Sequence, residues 1–148
     1  MFAALAIFYS YLVASYAVDP KFKDCGSKTG ELNSITVTGC EQNPCTFKVG
    51  QDAQITAEFT SKTSSKVANV KIQGILAGIP FPFPLSPEDA CGNYGVKCPL
   101  NNGDKNTLSL KVPVKKEYPP VSVKVRFQLI DSSNQDLFCV EFPVKIEH

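Results

Sequence analysis

The chain has 148 residues, 15 basic and 14 acidic side chains and a net charge of +1. That length suggests one domain. Charges of both signs are dispersed without a basic stripe, which excludes a nucleic-acid partner.

The first charged side chain is Asp19, and fifteen of the first seventeen residues are apolar or aromatic. The run ends Ser15-Tyr16-Ala17, a small-x-small cleavage pattern behind a short apolar stretch. It is short for a spanning helix. We therefore expect a cleaved signal peptide over 1–17, rather than a buried helix or an anchor, and a secreted mature domain over 18–148.

The mature chain is organised with period two. ITV (35–37) and TFKV (46–49) are short strands. In AQITAEFTS, Ile55, Ala57 and Phe59 alternate with Gln54, Thr56 and Glu58. In NVKIQGIL, Val70 and Ile72 alternate with Lys71 and Gln73. Leu108, Leu110, Val112 and Val114 share one face of TLSLKVPV. Val121, Val123, Val125, Phe127 and Leu129 do the same in VSVKVRFQL, as do Phe138, Val140, Phe142, Val144 and Ile146 in FCVEFPVKI. Each pattern is a half-buried strand with one wet side. GCEQNPC, LNNGDKN, EYPP and DSSNQD punctuate them as turns, and no window has a helical stripe. The fold expected is all-β: an immunoglobulin-like sandwich of seven or eight antiparallel strands in two sheets.

Behind the signal peptide stand six cysteines, Cys25, Cys40, Cys45, Cys91, Cys98 and Cys139. An even count in an exported chain reads as three disulfides, with fifteen pairings open in principle. Proximity favours Cys40–Cys45 and Cys91–Cys98, which leaves Cys25–Cys139 to tie the start of the domain to its end. Cys139 has the opposite parity to Phe138 and Val140, so its disulfide is expected outside the sandwich interior. With no tryptophan and no inter-sheet cystine filling the middle, the layers are free to stand apart. Apolar alternation does not by itself distinguish a filled core from a hollow one. If the sandwich is hollow, the inward-facing Phe59, Val70, Ile72, Leu110, Val112, Val123, Val125, Phe127 and Phe142 are candidates to line the space.

Catalysis calls for a base, a nucleophile or a metal. The one histidine, His148, is the last residue and reads as frayed. No C-x-x-C spacing suggests zinc. Glu58, Glu88, Asp89 and Glu141 fall singly on wet faces or loops. We expect no enzyme, no cofactor and no metal. No N-x-[ST] sequon occurs, so no N-glycan is expected.

What remains is GILAGIPFPFPL (74–85), twelve residues without a polar side chain. Its alternating prolines do not suit a central strand, and its apolar content does not suit a surface loop. An extended edge segment at the lip of an apolar pocket satisfies both constraints, with Phe81 and Phe83 projecting in different directions. A plain edge strand capping a solid core is the other reading.

FKDCGS (22–27), CEQNPC (40–45), GILAGIPFPFP (74–84), VPVKKEYPP (112–120) and LFCVEFPVKI (137–146), in that order and spacing, resemble the soluble Niemann–Pick type C sterol carriers and their ML-domain relatives, which include the mite group 2 allergens. The likeness runs from about Phe22 to Ile146 and is nearest to the arthropod members. It implies an immunoglobulin-like sandwich with an apolar tunnel between its sheets, and the disulfides Cys25–Cys139, Cys40–Cys45 and Cys91–Cys98. It places pocket-lining roles on Phe83, Val114 and Tyr118. It places a docking lip for a membrane transporter or membrane surface on Ala77, Ile79 and Phe81. Lys115 and Lys116 flank the pocket residues and are candidates to meet a ligand's carboxylate. In three respects the chain departs from the sterol carriers: a Cys91–Cys98 loop one residue longer, Val140 in place of a tryptophan, and the missing sequons. The last removes a lysosomal address based on glycan phosphate and favours extracellular fluid over the lysosomal lumen. The function expected is a monomeric carrier of a sterol, a fatty acid or another apolar small molecule. An arthropod chemosensory carrier or immune lipid sensor on the same fold is the alternative, and a protein-binding module with a solid core is the alternative of another class.

Overall fold

The computed structural model describes residues 21–83 and 85–148. The signal peptide expected over 1–17 therefore lies outside the described residues, as does Pro84. In chain order the strands are β1 (Lys23–Asp24), β2 (Gly30–Val37), β3 (Cys45–Lys48), β4 (Asp52–Ser61), β5 (Asn69–Leu76), β6 (Ile79–Pro82), β7 (Lys105–Pro113), β8 (Ser122–Ile130) and β9 (Asp136–Glu147). Among the described residues no helix is long and apolar enough to cross a membrane.

Period-two alternation sets which side of each strand is buried. β4 buries Ala53, Ile55, Ala57 and Phe59; β7 buries Leu108, Leu110 and Val112; β8 buries Val125, Phe127 and Leu129. The larger sheet runs β1-β9-β8-β5-β6, with β3 added to β9, and the smaller runs β2-β4-β7. The all-β sandwich of two sheets is as expected. Among the described residues there are nine strands against the seven or eight expected, and β3 lies parallel to β9, with Cys45 opposite Val144 and Phe47 opposite Ile146. β1 and β3 share one edge of β9, because β9 is twelve residues long and each partner takes only part of it.

The two sheets are pressed together at one end. Lys28 and Thr29 both donate their backbone N–H to the Asp136 carbonyl at 2.9 Å. A Cβ on Gly30 would stand 2.6 Å from the Leu137 carbonyl oxygen and 2.7 Å from that of Thr60. Only a residue without a side chain lets β2 lie this close to β9. Phe59, Phe127 and Phe138 fill the interior there, fully buried, with ring centroids 5.6 Å (Phe59–Phe138) and 5.2 Å (Phe127–Phe138) apart.

The disulfides are Cys25–Cys139, Cys40–Cys45 and Cys91–Cys98. Cys139 is buried but stands outside the main apolar cluster, as its parity requires. Cys25–Cys139 spans 114 residues of sequence, so on the chain-entropy model it stabilises by about 4–5 kcal/mol.

Residues 69–82 form a β-hairpin whose turn is Ala77-Gly78, both at positive φ (51° and 80°). Leu76 faces Ile79, Ile75 faces Pro80, Gly74 faces Phe81 and Gln73 faces Pro82. The Phe83 amide donates to the Ile72 carbonyl at 2.9 Å. Hydrogen-bonded and non-bonded pairs alternate in an antiparallel ladder. Phe81 and Ile79 therefore occupy the bonded rows, and Pro80 and Pro82 the rows whose N–H would point away from β5. Both prolines thus fit the outer edge without costing a ladder bond.

Ala77 holds a left-handed conformation that costs a residue with a Cβ about 1 kcal/mol. Ala77→Gly is expected to raise the unfolding free energy by about 0.5–1 kcal/mol in a urea titration; a decrease would show that the turn is not strained.

Candidate functional site

Away from the Gly30 end, a narrow apolar seam runs between the sheets. Phe47, Ile55, Ile72, Phe83, Val112, Pro113, Val114, Tyr118, Val123, Val125, Val144 and Ile146 line it. Its volume is about 10 Å³, close to what a single water requires. With no polar surface in its wall, the site offers a water no partners.

The seam continues outward into a cleft of about 260 Å³ formed by Gly74, Leu76, Phe81, Pro82, Phe83, Tyr118, Pro119, Val121, Val123 and Ile146. Phe83, Tyr118, Val123 and Ile146 belong to both spaces and so form the partition between them. The rings of Phe83 and Tyr118 meet edge to face, 5.7 Å between centroids at 66°. Beside the cleft, Ile79 and Phe81 are the large apolar side chains most exposed to water, at 58% and 53%. Hollows elsewhere are larger, up to about 550 Å³ beside Lys21, Lys124 and Glu141, but their walls mix charged and polar groups.

Of the residues expected to line a pocket, Ile72, Phe83, Val112, Val114, Tyr118, Val123 and Val125 are brought together in the seam. Phe59, Val70, Leu110, Phe127 and Phe142 are buried elsewhere in the core; Phe59 and Phe127 sit at the closed end, and Phe142 packs edge to face on Phe22. Phe47, Ile55, Pro113, Val144 and Ile146 line the seam without having been singled out from sequence. Ile55, Val144 and Ile146 carry the right parity, but nothing local indicates which end of the sandwich they occupy. Phe81 and Phe83 both border the cleft, but only Phe83 packs on the core and reaches the seam, while Phe81 is largely exposed. Ala77 holds the turn, and Ile79 is exposed at the hairpin's start.

Polar groups meet this site only at its rim. Lys115 and Lys116 are exposed, and neither lines the seam or the cleft. His148, expected to fray, is exposed, but its Nε2 lies 2.9 Å from the Tyr118 carbonyl. Glu141, one of the four scattered carboxylates, pairs with Arg126 at 2.7 Å. Among the described residues no group of three or more His, Cys, Asp or Glu side chains is placed to hold a metal ion. Partial burial raises the Tyr118 phenol above the usual tyrosine value, and the neighbouring Glu117 charge raises it further.

A β-sandwich with an apolar seam between its sheets, bordered by the Phe83–Tyr118 ring pair, is the arrangement that sets the class. The chain belongs to the ML-domain family, whose model matches residues 19–146. It is 37% identical over 147 residues to the bovine (Bos taurus) NPC intracellular cholesterol transporter 2, covering 99% of this chain and 98% of that protein. It is 32% identical to the mite group 2 allergen Tyr p 2 of Tyrophagus putrescentiae, covering 81% and 82% of the two chains. The crystal structure of a Niemann-Pick type C2 protein from the Japanese carpenter ant superposes with a TM-score of 0.81 at 28% identity, covering 85% of this chain and 98% of that one.

Spectrophotometric titration of wild type minus Tyr118→Phe should place the Tyr118 midpoint above the ordinary tyrosine value of about 10, and Glu117→Gln should lower it. The folded state holds this proton more tightly than the unfolded one. The stability it contributes is therefore lost as pH rises from the unfolded value through the folded one. A midpoint at or below the ordinary value would refute the buried gate.

Proposed function

We propose that the protein is a secreted carrier that holds a sterol or a long-chain fatty acid between its two sheets and passes it to or from a membrane. The observation that carries this reading is the continuity of three apolar features: the seam, the Phe83–Tyr118 partition, and the cleft beside exposed Ile79 and Phe81. Three disulfides suit an oxidising compartment. The name of the bovine relative assigns it cholesterol transport, which supports the same reading here.

Burial supplies the affinity. Hiding about 400 Å² of ligand surface yields on the order of 10 kcal/mol gross at ~25 cal/mol/Å². Loss of ligand motion and side-chain ordering offset several of those, which leaves micromolar or tighter binding within reach. Because the seam walls carry no polar group, a carboxylate or hydroxyl belongs at the rim, where water satisfies it. Selectivity then follows from shape. Loading requires the gate to swing and the seam to widen, since the resting space is only about 10 Å³. That narrowness is also the observation favouring a second reading, a sandwich with a solid core that binds protein partners.

Native mass spectrometry of the purified protein separates the two. A retained lipid is expected, and its mass tells sterol from fatty acid; a bare chain that also fails to take up added fluorescent lipid would establish the solid core.

Phe83→Ala should weaken binding of a fluorescent lipid at least tenfold while lowering the melting temperature only a few degrees. Equal displacement curves for the two proteins would remove Phe83 from the gate. Ile79→Asp should slow lipid transfer between vesicles severalfold and leave equilibrium affinity within twofold. An unchanged transfer rate would show that the lip does not touch the membrane.

A further inference from the structure

Gly74 lies in β5 directly opposite Phe81, on the inward face that also carries Val70 and Ile72. A Cβ built there would stand 3.0 Å from Phe83 Cε2, 3.3 Å from Phe83 Cζ and 4.0 Å from Val123 Cγ2. Favourable carbon contacts lie at about 3.5–4.0 Å. The edge of the Phe83 ring therefore rests over the hollow left by a missing side chain on β5. Turn geometry does not explain this glycine. Gly74 is absent from the glycines with positive φ and sits inside a regular strand. A glycine in a strand interior weakens it, so what it supplies here is room.

We infer that Gly74 determines ligand width: by giving Phe83 room to recede against β5 once the gate has swung, it sets the space left between Phe83 and Tyr118 for the bound ligand. The inference rests on the carrier reading above. The Tyr118 ring forms the facing wall of the gate, its centroid 5.7 Å from that of Phe83. With alanine at position 74 the Phe83 ring has to shift by a few tenths of an ångström. The added methyl stands between the ring and β5, so the ring is displaced away from β5 and takes up room beside Tyr118 that a bound ligand needs. A flexible acyl chain fits a narrowed space by rotating its single bonds. A fused-ring sterol is rigid and wide and has no such recourse. Gly74 is therefore the position that admits ligands of the sterol class.

The test measures equilibrium binding of two fluorescent probes, dehydroergosterol for the rigid class and cis-parinaric acid for the flexible one, to the mature protein and its variants. Gly74→Ala is expected to lower sterol affinity at least tenfold more than fatty-acid affinity, and adding Phe83→Leu to that variant to restore the ratio to within threefold of wild type. A folded Gly74→Ala protein whose sterol-to-fatty-acid ratio stays within twofold of wild type overturns the inference and leaves the carrier reading intact. So does a wild type that takes the fatty acid but no sterol. A wild type that binds neither probe ends the carrier reading, and the inference falls with it. If Gly74→Ala does not fold, Phe83→Leu alone poses the same question, because the shorter side chain leaves the hollow over Gly74 unfilled. The ratio should then rise at least threefold, and an unchanged ratio overturns the inference.

Discussion

The contact on which the rest depends is the close approach of β2 to β9 at Gly30. There, backbone nearly touches backbone, and two amides converge on one carbonyl. Any side chain at position 30 would hold the sheets apart at this corner. With the corner shut, three phenylalanine rings fill the interior behind it. At the other end Ile55, Ile72, Val112, Val125, Val144 and Ile146 face one another beside the edge-to-face pair of Phe83 and Tyr118, and Cys40–Cys45 joins the segment after β2 to β3.

The hairpin of β5 and β6 serves the open end in three ways. Its turn and first bonded row place Ile79 in water, the second bonded row seats Phe81 at the cleft, and the third, opposite Ile72, seats Phe83 against Gly74. Proline and phenylalanine alternate because the outer edge and the inner face of one short strand make opposite demands. Stiff residues without an N–H suit the edge, and apolar rings suit the face. A fully apolar stretch is thus neither core nor loop, and its spacing of two residues is what lets it be a rim.

Much of this was legible in the sequence. The period-two pattern gave the long strands, and the parity of Cys139 against Phe138 gave a cystine outside the interior. The motif resemblance gave the pocket residues Phe83, Val114 and Tyr118, which do meet in the seam. What sequence did not yield was long-range. β3 pairs with a segment about a hundred residues away, and no local signal marks a parallel partner. Inward parity selected Phe59 and Phe127 as readily as Ile55 and Ile146, because alternation records which face is buried and not which end. Telling the ends apart requires knowing that Gly30 meets Leu137, a contact between distant parts of the chain. Gly74 was hidden for a similar reason: a glycine in an apolar run looks like a gap until the ring that fills it is seen.

The outward rows of β6 present Pro80 and Pro82, and neither has a hydrogen to offer a neighbouring chain. A greasy strand at the border of a sheet ordinarily invites a second molecule to extend the ladder, and such pairing is how β proteins polymerise. Here the invitation is withdrawn at two successive donor positions, while the apolar side chains beside them stay in water. At this border, apolar side chains stand in water beside an edge that has no donor at either position with which to extend the ladder.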